Sequence, residues 1–180
     1  THTITYKIPS NSECLVCHKS MEIARPIGPK PQNLNKDYIY EGGRQNQLAK
    51  WIEMGYLENN LPPSITSTVN WEDESLDTEL RVRSYVDINC AHCHNEAGHC
   101  SYRDLNYEFN KTVNPALMGV CTPQSDIFNP SYNLIINPGN AARSAIIARM
   151  YSTDESVMMP MIGRTIVHKE AVQLMENYIN

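Results

Sequence analysis

Cys90-Ala91-His92-Cys93-His94 repeats, seventy-six residues further on, the pattern of Cys14-Leu15-Val16-Cys17-His18. C-x-x-C-H is the spacing at which two thiols add to the two vinyl groups of one porphyrin and leave the adjacent imidazole beneath the iron. With six Cys and six His in 180 residues, chance alone would supply roughly 0.007 such motifs, so two of them are a strong signal. On this reading Cys14, Cys17, Cys90 and Cys93 are the thioether cysteines of two haem c groups. His18 and His94 are then the proximal ligands of the two irons. Zinc stands against it, because zinc sites also use paired C-x-x-C motifs. Those pairs are about 15 to 20 residues apart, whereas 72 residues separate Cys17 from Cys90 and a His follows each pair. A thioredoxin-like redox pair calls for a single C-x-x-C at the end of a strand in a βαβ pattern.

Composition bounds the rest. Apolar residues make up 41% and charged residues 19%, the balance of a folded chain rather than a disordered one. A net charge of −5 without a basic stripe argues against a nucleic-acid partner. No apolar run approaches the eighteen or so residues of a membrane span. The opening Thr1-His2-Thr3-Ile4-Thr5 has neither a basic nor an apolar leader region, so a signal peptide is expected to be absent or already removed. Only two Phe and two Trp accompany eleven Pro, and a short chain with so few large apolar side chains needs a staple such as a metal, a disulfide or a cofactor. Haem attachment of this kind takes place outside the bacterial cytoplasm, so a periplasmic or extracellular location is expected. In that oxidising setting Cys100 and Cys121 are expected to pair, closing a loop of about 20 residues that contributes roughly 3 kcal/mol. Two buried free thiols are the alternative.

The chain also reads as two copies of one plan. Each motif is followed by a helical segment, Gln47 to Met54 in the first copy and Ser144 to Met150 in the second, with Asn140 as N-cap of the latter. Each segment gives way to a proline loop, Leu61-Pro62-Pro63 or Met158-Met159-Pro160-Met161. Each copy then closes on an amphipathic helix, near Leu76 to Ile88 and near Val167 to Ile179. The expected lobes are therefore 1–88 and 89–180. The second is longer by about the length of the segment 100–121, which reads as an insertion stapled at its base by the disulfide.

Within this plan the residues resemble the small class I cytochrome c domain, here in tandem. Over nearly the whole chain they are similar to a family of bacterial dihaem c-type cytochromes. The stretches that carry the resemblance are Ile8 to Cys14, Pro26-Ile27-Gly28-Pro29-Lys30, Asn70-Trp71-Glu72-Asp73, Ile88 to His94, and Gly163 to His168. The resemblance implies an all-α fold of two small helical lobes with long loops, each wrapped around one covalently bound haem. It implies Met159 as the distal ligand of the second iron, where a thioether favours the ferrous state; Met158 and Met161 are near alternatives, and flexible core filling is the plain reading of all three. In the first lobe the aligned position is Leu61, which cannot ligate iron. His2, Met54, His168 and His99 are then the candidates, with Met21 behind them, each with a plainer reading in the core or at the surface. A ligand from a neighbouring molecule and an open position are the other two outcomes. Gly28-Pro29 and Leu34 resemble the loop that packs on the proximal side, and Arg25 and Lys30 are candidates for pairing with the haem carboxylates.

These features imply an electron carrier between redox proteins outside the cytoplasm, with a chain of subunits as a further arrangement if one copy supplies a ligand to the next. A dihaem peroxidase or a haem-based sensor follows instead if the first iron is open. No distal acid–base constellation can be placed for the peroxidase.

Overall fold

The β-branched and aromatic stretch Asp37-Tyr38-Ile39-Tyr40 is not helical. In a computed structural model describing residues 3–180 it forms strand β3, paired antiparallel with β4 (Gly43–Asn46) in the register Asp37↔Asn46 and Ile39↔Arg44. Gly43, at φ 111°, supplies the turn backbone that other residues avoid. A smaller hairpin joins β1 (Lys19–Ser20) to β2 (Ile23–Ala24). Its two turn residues, Met21 and Glu22, both have positive φ, as a two-residue turn matching the strand twist requires. Among the described residues the helices are α1 (Asn11–Cys17), α2 (Pro31–Leu34), α3 (Gln47–Glu53), α4 (Thr78–Asn89), α5 (Pro115–Met118), α6 (Ala145–Tyr151) and α7 (Lys169–Ile179). The longest, α4, has 12 residues.

The all-α expectation is therefore corrected. The fold is small and mixed, with short helices, two two-stranded sheets and long irregular connections. The physical reason is local. Pro62 and Pro63 fall in a stretch from Met54 to Asp77 without helix or strand, where proline removes donors and fixes φ.

The chain divides into two compact units, Gly28–Asn70 on the one hand and the residues up to Ile27 with Trp71–Asn180 on the other. Both C-x-x-C-H motifs belong to the larger unit. Its core is built by α4, α6 and α7, with Val82, Tyr85 and Val86 meeting Ile146, Ile147, Val172, Leu174 and Met175. The amphipathic spacing expected of the last helix is realised, since α7 buries Ala171, Val172, Leu174, Met175 and Ile179. Asp77 caps α4 by accepting the Leu80 N–H at 2.9 Å. Asn140 precedes a 3₁₀ turn, Ala141–Arg143, rather than α6. The residue at the α6 N-cap is Ser144, whose buried hydroxyl donates to Asn140 O and accepts from Asn137 N–H.

The segment read as an insertion is no surface appendage. Tyr107, Phe109 and Met118 are among the most buried side chains, Met118 fully so. Asp87 of α4, 1% exposed, accepts the Phe109 N–H at 2.9 Å. Arg83 donates to Phe109 O at 2.9 Å and lies over the Phe109 ring.

The smaller unit buries one side chain, Leu48 of α3. It is held instead by polar contacts. Asn46 caps α3 by accepting from Leu48 and Ala49 N–H, Asn35 donates to Ile65 O at 2.7 Å, and Ser67 donates to Asn35 O at 2.6 Å. Among the described residues no helix is long and apolar enough to cross a membrane.

Candidate functional site

The last turn of α4 runs directly into the second motif. Cys90 and Ala91 N–H both reach back to Val86 O, then Cys93 and His94 N–H close on Cys90 O at 3.1 and 3.0 Å. The turn is locked from outside. Asn95 donates to Ala91 O at 2.6 Å, Tyr107 N–H donates to His94 O at 2.9 Å, and Cys100 N–H donates to Cys93 O at 3.0 Å. Gly98 allows this last closure, because a Cβ there would stand 2.3 Å from Cys93 O. Sequence reading missed Gly98; its place five residues after the motif was the one available signal.

Cys90, Cys93 and His94 form one wall of a cavity of about 270 Å³, close to the lower end of the range for enclosed small-molecule sites. Tyr107, Ile135 and Ile146 add apolar surface, Met159 and Met161 border it from the proline loop, and Arg103, Arg149 and Arg164 bring positive charge to it. The His94 imidazole is held against the Tyr107 ring at 5.2 Å. Burial pushes it down to about 4, so it is neutral at neutral pH, the form that ligates metals. Its Nδ1 is buried without a hydrogen-bond partner, and so is Arg164 Nε. Burial likewise pushes the Cys90 thiol up to about 12.

The methionine loop is sorted by packing. Met158 is 5% exposed and absent from this cavity, while Met159, anchored by its N–H to Arg149 O at 2.9 Å, lines it. His168 also reaches the cavity, with Nδ1 3.1 Å from the Tyr85 hydroxyl and its ring edge-on to Trp71 at 5.1 Å. His99 is exposed at the rim. Met54, half-exposed, sits at the end of α3 in the smaller unit, as do Gly28, Pro29, Lys30 and Leu34 upstream of it. His2 lies outside the described residues.

The first motif is arranged differently. Helix α1 starts with a capping box, in which Ser10 N–H donates to the Glu13 carboxylate at 2.8 Å and Glu13 N–H returns to Ser10 Oγ. None of its residues is buried, and Cys14 and His18 are exposed. Cys17 alone of the ligand-bearing residues turns inward, to the cavity wall beside the second motif. There the Cys93 thiol donates to Cys17 Sγ at 3.7 Å. This contact and a further one with His92 pull the Cys17 thiol down to about 4, while the same sharing and burial push Cys93 up. His92 is part-buried next to Cys17, its Nδ1 without a partner.

All six thiols are free, so the expected Cys100–Cys121 bridge is not formed in this structure. The two side chains face different surroundings, Cys100 at the cavity wall and Cys121 on the surface at a left-handed φ of 56°.

A covalently attached porphyrin is testable against these residues. At the second motif the donor set fits. A neutral, part-buried imidazole, two cysteines three residues apart and a thioether border one apolar cavity, and an unpartnered guanidinium nitrogen is available to a carboxylate. The cavity is open to solvent on the side of His99, Tyr102 and Ser125, which line it and are exposed. At the first motif Cys14 and His18 are exposed and do not line this cavity. Comparison with known protein families, with characterised proteins and with solved structures found no match.

Proposed function

We propose that the chain is a c-type cytochrome of the dihaem class that carries electrons between redox proteins outside the cytoplasm. The observation that supports this best is the shared cavity of Cys90, Cys93, His94 and Met159, which unites the second motif with the methionine 65 residues downstream of its histidine. When bound, the haem iron supplies one-electron ferric–ferrous exchange, and the redox chemistry is the cofactor's own.

The chain's residues supply the setting. Cys90 and Cys93 hold the group covalently and His94 presents a neutral imidazole from a turn fixed on both sides. Met159 offers a soft thioether, which raises the potential. Tyr107, Ile135 and Ile146 exclude water, and Arg149 and Arg164 stand ready for carboxylates. For the first haem the proposal rests on Cys14, Cys17 and His18 as a motif. It is supported by seven large apolar side chains left exposed between Ile4 and Ile27, namely Ile4, Tyr6, Ile8, Leu15, Met21, Ile23 and Ile27, a surface that an apolar group would cover.

The test is expression of the full chain with a haem-attachment apparatus, followed by mass spectrometry and electron paramagnetic resonance. A mass gain of two porphyrins with two low-spin ferric signals supports the carrier. One low-spin and one high-spin signal moves the reading to a peroxidase or sensor, for which Leu61 in place of a methionine is the motivating residue. Absence of covalent haem overturns it.

A further inference from the structure

The first motif's inward-turned cysteine finds its partner in the second motif, and the geometry of that meeting is informative. Cys17 Sγ and Cys93 Sγ are 3.7 Å apart. Tetrahedral zinc with Zn–S bonds of about 2.3 Å has S···S edges of about 3.8 Å. The separation is far too long for a disulfide, whose sulfurs lie about 2.05 Å apart. His92 completes a triangle, since one of its ring nitrogens and both sulfurs lie within 4.8 Å of one another. All three residues are part-buried, and His92 Nδ1 is a buried polar atom without a hydrogen-bond partner. A buried donor or acceptor left unpaired in this way costs free energy unless something binds it.

We propose that the haem-free chain binds a zinc ion between its two motifs, through Cys17, Cys93 and His92. Two thiolates and one imidazole are a known zinc donor set, which leaves the fourth position to water. Binding releases the thiol proton that Cys93 shares with Cys17 to solvent. The site takes one sulfur from each C-x-x-C-H motif, so it differs from a zinc site built on either C-x-x-C pair. Attaching haem at Cys17 or Cys93 turns that thiolate into a thioether and removes it as a zinc ligand. Zinc binding and double haem attachment therefore exclude each other. The zinc site needs no haem, and it stands or falls independently of the electron-carrier reading.

The experiment uses the full chain made without a haem-attachment apparatus and kept reduced. It is titrated with Zn²⁺ against a chromogenic chelator and with Co²⁺ as an optical reporter. One equivalent should bind, and the cobalt form should show tetrahedral ligand-field bands with the charge-transfer intensity of two thiolates. Cys17→Ser and Cys93→Ser should each weaken binding by a hundredfold or more, and His92→Gln by tenfold or more. Cys14→Ser and Cys90→Ser should leave it within about threefold, and circular dichroism of each variant reports whether the fold is kept. Loss of binding in Cys14→Ser or Cys90→Ser with the fold intact would place the ion on a C-x-x-C pair and overturn the proposal. So would no binding by the folded parent, or a Cys17–Cys93 disulfide that persists in reductant. Zinc binding by a chain that never takes up haem under attachment conditions would keep this proposal and remove the cytochrome. Haem uptake by a chain that ignores zinc would do the reverse.

Discussion

Asp87→Ala is the substitution with the sharpest expectation. Asp87 sits in α4, three residues before the second motif, with a carboxylate that is almost fully buried and accepts the Phe109 N–H at 2.9 Å. Phe109 is itself 3% exposed, so water cannot replace the lost acceptor. A hydrogen bond to a charged group contributes about 1.5 to 3 kcal/mol, and the stranded buried donor adds a cost of about 1 to 3 kcal/mol. Release of the desolvated carboxylate offsets part of this. The net loss is about 3 kcal/mol, equivalent to about 6 to 12 °C in Tm for a chain of this size. Asp87→Asn keeps an acceptor oxygen and should lose about half as much. Urea unfolding of the full chain followed by far-ultraviolet circular dichroism measures both. A loss under about 1 kcal/mol for Asp87→Ala, or equal losses for the two variants, would refute the view that this bond pins the 106–112 segment to α4.

Two further expectations concern the cavity wall. Burial pushes Tyr85 up to about 12 from an ordinary value of 10. Its un-ionised form is therefore favoured in the fold, and the associated stability is complete below pH 10 and lost as pH rises from 10 to 12. Allowing for the hydroxyl's partial exposure, the loss is about 1 to 2 kcal/mol; Tyr85→Phe should flatten the stability curve across that window, and an unchanged slope would count against the burial argument. In the haem-loaded chain Met159→Ala should convert the second haem's low-spin signal to high-spin. Met158→Ala, which empties a core position, should keep that signal and cost about 2 to 4 kcal/mol. The reverse pattern would reassign the thioether.

What could be read in advance followed from periodicity and spacing. The apolar positions of α7 recur at helical intervals, and its boundaries were legible to within two residues at the start. C-x-x-C-H names the residues of a site but not their geometry: Cys90, Cys93 and His94 share one cavity wall, held there by Asn95, Tyr107 and Cys100, while Cys14 and His18 of the same pattern are exposed. The meeting of Cys17 with Cys93 joins residues seventy-six apart, and no local pattern announces it. Tyr107, Phe109 and Met118 follow neither a helical nor a strand period. Phe109 is tied to Asp87 and Arg83 of another element, a link that no local pattern announces, and the segment read as an insertion only because the second copy is longer than the first. The smaller hairpin escaped for a third reason: β1 and β2 are two residues each, too short to show alternation, and their turn rests on Met21 and Glu22 rather than on glycine or asparagine.

The contribution of α7 bears on the order of events as the chain is made. Gly139 N–H closes on Ile179 O at 2.7 Å, Ala141 N–H on Asn180 Oδ1 at 3.1 Å, and five α7 side chains are buried. A polypeptide emerging from its N-terminus therefore presents both motifs long before the element that finishes the core around the second one. Until residues 169–179 arrive, the core against which Cys90 packs lacks Ala171, Val172, Leu174, Met175 and Ile179. Once α7 docks, that interval ends. A graded set of C-terminal truncations would delimit it in time as well as in sequence.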